Sequence, residues 1–301
     1  MKPFAAIAAG LAALAVVAAA AAGAFVWSGV YNISSAVQHT QPVYKLLQWV
    51  GERSIKHHAA GIAEPPRLDE PALLARGALC YRDKCLVCHG GPGVVQGEVA
   101  RGMQPLPGPL VDAAPRFRPR ELYWVIREGI KMSGMPAWGY RLSEADHWAL
   151  VGFLQQLPTL TPAAFRAATL ARTDAQCVSG RDGNGGSSGR TVAIDSTRPA
   201  PPIDGASAMP DAARGRLALT QYACNGCHVI PGVTGAIVHV GPPLAGMAGR
   251  GLIAGKLGNT PDHLAAWIRD PQAVDPETAM PNMQVDARDA RDIAAYLGTL
   301  H

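Results

Sequence analysis

Residues 4–30 carry no charged side chain and are built mainly from Ala, Val, Leu and Gly. The run is longer than the roughly 7–15-residue apolar core of a secretory signal and passes the roughly 20 residues that a helix needs to cross a bilayer. It predicts a transmembrane helix within an anchor of residues 1–31. Lys2 stands on the leading side, which keeps that end cytoplasmic, and Trp27 and Tyr31 stand where interfacial aromatics belong. Cleavage near Gly23, among small residues, is the alternative; either way the remainder is exported. Residues 32–70 form a connecting segment with a second helical pattern. Val43, Leu46, Leu47 and Val50 recur at i, i+3, i+4, i+7, Pro42 suits a first turn, and Arg53, Lys56, His57 and His58 make the end basic. Such an amphipathic helix serves either as a docking surface for lipid head groups or a membrane partner, or as a helix packed on the next domain.

Two stretches then repeat one plan. The first, 71–158, opens with a helical pattern over 72–89. It closes with Ser143 as N-cap before an apolar run through Trp148, Leu150, Val151 and Leu154, stopped by Pro158. The second, 207–301, opens with a helix from Arg214 into Cys224. It closes with Asp286 capping a helix whose apolar face is Ile293, Ala294, Tyr296 and Leu297. Between them, 159–206 reads as a linker, with a Gly/Ser cluster at 183–189 and Pro199, Pro201 and Pro202. A flexible chain of that length has an end-to-end distance of about 35–40 Å, which leaves the domains free to move unless they dock. The predicted class is mainly α: two domains in tandem after a transmembrane helix.

Composition changes this picture little. Five Phe in 301 residues is low for two ordinary cores, and 33 Gly with 25 Pro predict short helices and long loops. A net charge of +4 is too small and too scattered for nucleic-acid binding.

The chemistry lies in a pentapeptide that occurs twice, Cys85-Leu86-Val87-Cys88-His89 and Cys224-Asn225-Gly226-Cys227-His228. C-x-x-C-H is the attachment pattern of c-type haem. Thiols three residues apart share one face of a helical turn, so both can form thioethers to one porphyrin, and the adjacent histidine reaches the iron. Two covalently bound haem c groups are therefore expected. Their attachment on the outer side of a bacterial cytoplasmic membrane agrees with the exported N-terminus. Zinc held by the two pooled C-x-x-C pairs is a weaker reading, because it leaves the two histidines unexplained.

A sixth ligand decides between electron carrier and open, reactive iron. Among Met103, Met132 and Met135, the choice is Met135, in Ser133-Gly134-Met135-Pro136, with Met132 as runner-up. Among Met247, Met280 and Met283, it is Met280, in Ala279-Met280-Pro281. Each precedes a stiffening proline and stands outside any helical stripe. The iron ligands are thus His89, Met135, His228 and Met280, with no catalytic residue. The Pro242 carbonyl is expected to orient His228, and that of Pro107 or Pro109 to orient His89. Arg250 and Trp267 are candidate propionate donors, or else a surface arginine and a core indole. Cys80 and Cys177 remain, free to pair in an oxidising compartment or to stay small apolar residues. His39, His57, His58, His147, His239, His263 and His301 read as ordinary residues.

With these residues together, the chain resembles a membrane-anchored di-haem class I cytochrome c. In 71–158 the likeness is carried by Gly77, Cys85 to Gly90 and Gly134-Met135-Pro136-Ala137-Trp138. In 207–301 it is carried by Cys224 to His228, Gly241 to Gly246, Trp267 to Pro271 and Met280-Pro281. The second set is most similar to the cytochrome c domain fused to subunit II of some haem–copper oxidases. A Cys-x₃-Cys copper motif is missing from the sequence, so the subunit II likeness stops at that domain. The resemblance implies an electron carrier in a bacterial respiratory chain, acting on or within a terminal oxidase complex. It implies redox protein partners (terminal oxidase, cytochrome bc complex or periplasmic dehydrogenase), no small-molecule substrate, and haem domains on the periplasmic face. The alternatives are a di-haem peroxidase, against which stands the lack of a histidine between His89 and His147, and a cytochrome subunit of a periplasmic dehydrogenase.

Overall fold

The computed structural model describes residues 2–63, 65, 67–171, 177 and 209–301. The Gly/Ser cluster and the prolines expected to mark a linker lie outside the described residues. Two compact units are present, 1–38 and 39–301. The first is dominated by helix α1, Lys2–Ser28, of which Pro3–Ser28 is long and apolar enough to cross a membrane, with mean hydropathy 2.4.

The second unit begins with α2, Gln41–His58, continued by a 3₁₀ turn at Ala59–Gly61. Then α3, Pro71–Cys80, crosses α5, Glu144–Gln156; α4, Pro119–Glu128, packs on α5, and α6, Pro162–Thr169, packs on α3. Ser143 caps α5 as expected, its hydroxyl accepting from the Asp146 N–H at 3.2 Å. The α6 segment falls in the stretch read as linker. Its Phe165 is fully buried among Tyr81, Phe153 and Leu157, so the first domain runs past residue 158. Thr161 caps α6 and Pro162 opens it, a start signal hidden among breaker residues.

In the second domain α7, Ala212–Gln221, crosses α9, Ala287–Leu297, and α8, Pro261–Arg269, packs on α9. A small antiparallel ribbon, β1 Leu252–Ile253 and β2 Leu257–Gly258, pairs Ile253 with Leu257. Asp286 caps α9 through the Asp289 N–H at 2.8 Å.

The two helix crossings use one device. A Cβ on Gly77 would overlap the Ala149 carbonyl, and one on Gly215 would overlap that of Asp292. Only glycine lets the backbones approach so closely. The arginine before each glycine reaches the closing helix. Arg76 Nε pairs with Asp146 at 2.7 Å, and Arg214 Nε pairs with Asp292 at 2.8 Å.

The two domains dock. Gly93 N–H donates to the Ala279 carbonyl at 3.1 Å, Gln272 Nε2 to the Gly93 carbonyl at 3.2 Å, and Arg101 Nη1 to the Met283 carbonyl at 2.9 Å. Val95 and Leu106 pack on the apolar core of the second domain. Cys80 and Cys177 form a disulfide across 97 residues, and the Cys177 N–H donates to Asp83 Oδ2 at 2.7 Å. Residue 177 is thereby tied to the first domain.

Candidate haem-binding sites

The two motifs are approached differently. In the first domain α3 runs into a π-turn, Tyr81–Cys85, and then a single α-turn, Leu86–His89. The expected helix over 72–89 is thus widened by one residue per turn just before the motif. In the second domain the expected continuous helix stops at Gln221. Ala223 adopts φ +57°, and Cys224–Gly226 forms a 3₁₀ turn. A non-glycine residue in the left-handed region is strained, and nothing in the local pattern announces it.

Both histidines are held alike. His228 Nδ1 donates to the Pro242 carbonyl at 2.7 Å, as expected. His89 Nδ1 donates at 2.7 Å to the carbonyl of Gly108, not to that of Pro107 or Pro109; the Pro107 carbonyl instead accepts from Gln96 Nε2 at 3.4 Å. Prolines on both sides fix the loop, and the residue between them turns its carbonyl inward. A carbonyl only accepts, so each imidazole carries its proton on Nδ1 and keeps the Nε2 lone pair free for a metal. Burial pushes both imidazoles below their ordinary pKa, towards the neutral, ligating form. A Cβ at Gly241 would press on the His228 ring, so the glycine allows that loop to lie against the imidazole.

The thiols are poorly suited to remain thiolates. Burial, with the neighbouring Cys88, pushes Cys85 up to about 12; burial, with Cys227, pushes Cys224 up to about 12; and burial pushes Cys227 up to about 11. Among the described residues, the one grouping of three possible metal donors is Cys80, Asp146 and Cys177, two of which are disulfide-bonded. The four motif thiols do not gather into a common site.

The methionine loops share a turn that the sequence reading missed. Met135 N–H donates to Ser133 Oγ at 3.2 Å, and Met280 N–H to Thr278 Oγ1 at 3.3 Å. The signal was present as Ser/Thr-x-Met-Pro in both domains. Both methionines are partly buried. Their rivals lie elsewhere: Met132 is 92% exposed, Met247 and Met283 are buried in the second core, and Met103 packs its sulfur under Gly134, beside the Met135 loop.

Arg250 braces the Pro243 and Ala245 carbonyls, at 2.5 and 3.2 Å, and Trp267 is a buried core indole. Arg101 carries the feature expected of a propionate donor. Its Nε is buried without a partner, and none of the described ion pairs involves it. A buried guanidinium nitrogen without an acceptor fits an anionic group missing from the protein atoms themselves.

Residues 72–154 match the family described as cytochrome c oxidase, cbb3-type, subunit III, and residues 212–301 match the family described as cytochrome c. Two cytochrome c-type domains behind a helix of membrane-spanning length make this chain a membrane cytochrome c. Among characterised proteins it is similar to cytochrome c oxidase subunit 2 of Alkalihalophilus pseudofirmus, 36% identical over 88 residues. That stretch is 29% of this chain and spans a quarter (25%) of the relative. No solved structure matches. The activity of the class is electron transfer.

Proposed function

We propose that the chain carries two covalently bound haem c groups and passes electrons to, or within, a terminal oxidase complex of a bacterial respiratory chain, with both domains on the periplasmic face. Cys85 and Cys88 would tether one porphyrin, and Cys224 and Cys227 the other. His89 with Met135, and His228 with Met280, would be the axial ligands. When bound, the haem supplies reversible one-electron chemistry. The Gly108 and Pro242 carbonyls orient the imidazoles and increase their basicity. The Ser133 and Thr278 turns present the methionines, whose thioether sulfur favours the reduced state. Arg101, with its Nε buried and unpartnered, is the cation available to a propionate. The domain interface makes transfer between the two sites an event within one compact unit.

The observation that carries this reading is the repeated pair, an imidazole whose Nδ1 is fixed by a loop carbonyl directly after two partly buried thiols. The relative's name places that protein in an oxidase and motivates the acceptor proposed here. The test is a pyridine haemochrome count on the purified chain with near-infrared spectra of Met135→Ala and Met280→Ala. Two haems per polypeptide are expected, with each substitution removing one Met–iron band and lowering one midpoint potential. A count of zero ends the proposal, and an unchanged spectrum in either variant removes that ligand. Stopped-flow oxidation of the reduced chain by a terminal oxidase tests the acceptor, and hydrogen peroxide turnover at respiratory rates would favour an enzyme instead.

A further inference from the structure

Helix α2 is amphipathic in the reverse of the usual sense. The stripe turned towards the second unit's domains is Gln41, Tyr44, Gln48, Glu52, Ile55 and Ala59, spaced by three or four residues and mostly polar. Gln41 exchanges two hydrogen bonds with the backbone of Gly235 in the second domain, at 3.0 and 3.1 Å. Glu52 pairs with Arg116 of the first domain at 2.6 Å, and the His58 ring stacks on Trp124 at 5.5 Å. One helix therefore straps both domains.

The apolar stripe faces away. Val43, Leu46, Leu47 and Val50 are 39, 58, 55 and 50% exposed, and Trp49 beside them is 57% exposed. On a 3.6-residue repeat the centre of this stripe lies almost opposite the packed one. Packing on the haem domains, one of the two readings of this helix, thus uses the polar face and leaves the apolar face without a partner among the described residues. A contiguous exposed apolar face rimmed by charge marks an interaction surface.

We propose that α2 lies in the plane of the membrane interface with its apolar stripe in lipid, holding both haem domains at a fixed standoff from the surface. Three observations select lipid as the occupant. The helix of membrane-spanning length ends at Ser28, and residues 29–40 before Gln41 reach at most about 40 Å when fully extended, so the stripe is tethered near a bilayer. Lys45, Arg53 and Lys56 are exposed along one flank of the stripe and match anionic head groups. Trp49, with Arg53 stacked 5.6 Å from its ring, supplies an interfacial aromatic on the same side. This surface is independent of the haem assignments and extends the proposed function to how the domains are presented.

Site-directed spin labelling of the full chain tests it. Leu47→Cys and, as a control, Lys45→Cys are labelled with a nitroxide and reconstituted in vesicles of phosphatidylcholine and phosphatidylglycerol at three to one. An unchanged visible spectrum verifies folding. The expected result is a ratio of oxygen to nickel-chelate accessibility several-fold higher at position 47 than at position 45. Equal accessibility to the water-soluble chelate at both positions overturns the proposal. So does a label at 47 that stays water-accessible in vesicles and becomes shielded only when a terminal oxidase is added, which would assign the stripe to a protein partner. Leu46→Glu with Leu47→Glu, both at exposed positions, is expected to abolish the depth difference at a label placed at Val50; a retained difference likewise overturns it.

Discussion

The two cytochrome c-type domains agree where their chains cross and differ where they enter the motif. Each closes on an Arg-Gly pair, Arg76-Gly77 and Arg214-Gly215, in which the glycine admits the closing helix and the arginine grips a buried aspartate on it. Each also presents its methionine from a Ser/Thr turn and its histidine to a loop carbonyl. The route into Cys-x-x-Cys-His is not shared: a π-turn leads in at Tyr81–Cys85, and a left-handed break at Ala223. The proposed attachment depends on local spacing within the pentapeptide, whereas the crossing and the methionine and carbonyl loops set where that pentapeptide stands. The constrained elements are those that position the motif, not those that precede it.

The disulfide is the sharpest asymmetry. Cys80–Cys177 closes a 97-residue separation in the first domain, and among the described residues the second domain has no counterpart. Replacing both cysteines by alanine is expected to destabilise the first domain by about 2–4 kcal/mol and to leave the second unchanged. Chemical denaturation followed at each haem would show it; equal shifts in both transitions would mean that the docked domains unfold as one.

The glycine crossings probe the shared part. Gly77→Ala and Gly215→Ala each push a methyl into backbone, and each should lower stability by about 1–3 kcal/mol. Similar losses in the two variants support one packing device, and a neutral Gly215→Ala would break the equivalence.

Acid titration gives the smallest effect. Burial on its own raises the Asp146 and Asp292 carboxyls, but hydrogen bonds from Arg76 and Ser143 to the first, and from Arg214 and the Asp211 N–H to the second, outweigh it and hold both below their ordinary values. A lowered folded-state pKa contributes stability that is present above the unfolded value of about 4 and lost as pH falls through the folded one. Both domains should therefore weaken below about pH 4. Asp146→Asn and Asp292→Asn should each flatten the acid limb of one domain, read as melting temperature against pH. A variant that is destabilised equally at all pH values would show that its carboxylate is not the titrating group.

Much of this was legible locally. The pentapeptides, the Ser143 and Asp286 caps and the Pro242 carbonyl follow from short-range rules of spacing and capping. The stripe on α2 was legible as a pattern, though not which side would face the protein, because that depends on Arg116, Trp124 and Gly235 far along the chain. The interface built from Gly93, Arg101, Leu106 and Gln272 leaves no periodicity, since these residues make isolated long-range contacts. Helix α6 was masked by the prolines and threonines that begin it, and its membership of the first domain shows in the burial of Pro162, Phe165 and Thr169, with Phe165 seated in the core. The Ala223 break defies local propensity, so tertiary packing had to impose it.

The bridge between Cys80 and Cys177 also imposes an order on biogenesis. Six cysteines admit fifteen fully paired connectivities, and the proposed attachment of four sulfurs to porphyrin is compatible with none of them. Cys80 emerges beside Cys85 and Cys88, while its proper partner is 97 residues away. An oxidant acting on the nascent chain before residue 177 appears finds only Cys80 and the proposed tethers Cys85 and Cys88. On the proposed attachment, maturation of the leading domain calls for delayed oxidation, with the tethering sulfurs kept reduced until residue 177 is available to Cys80.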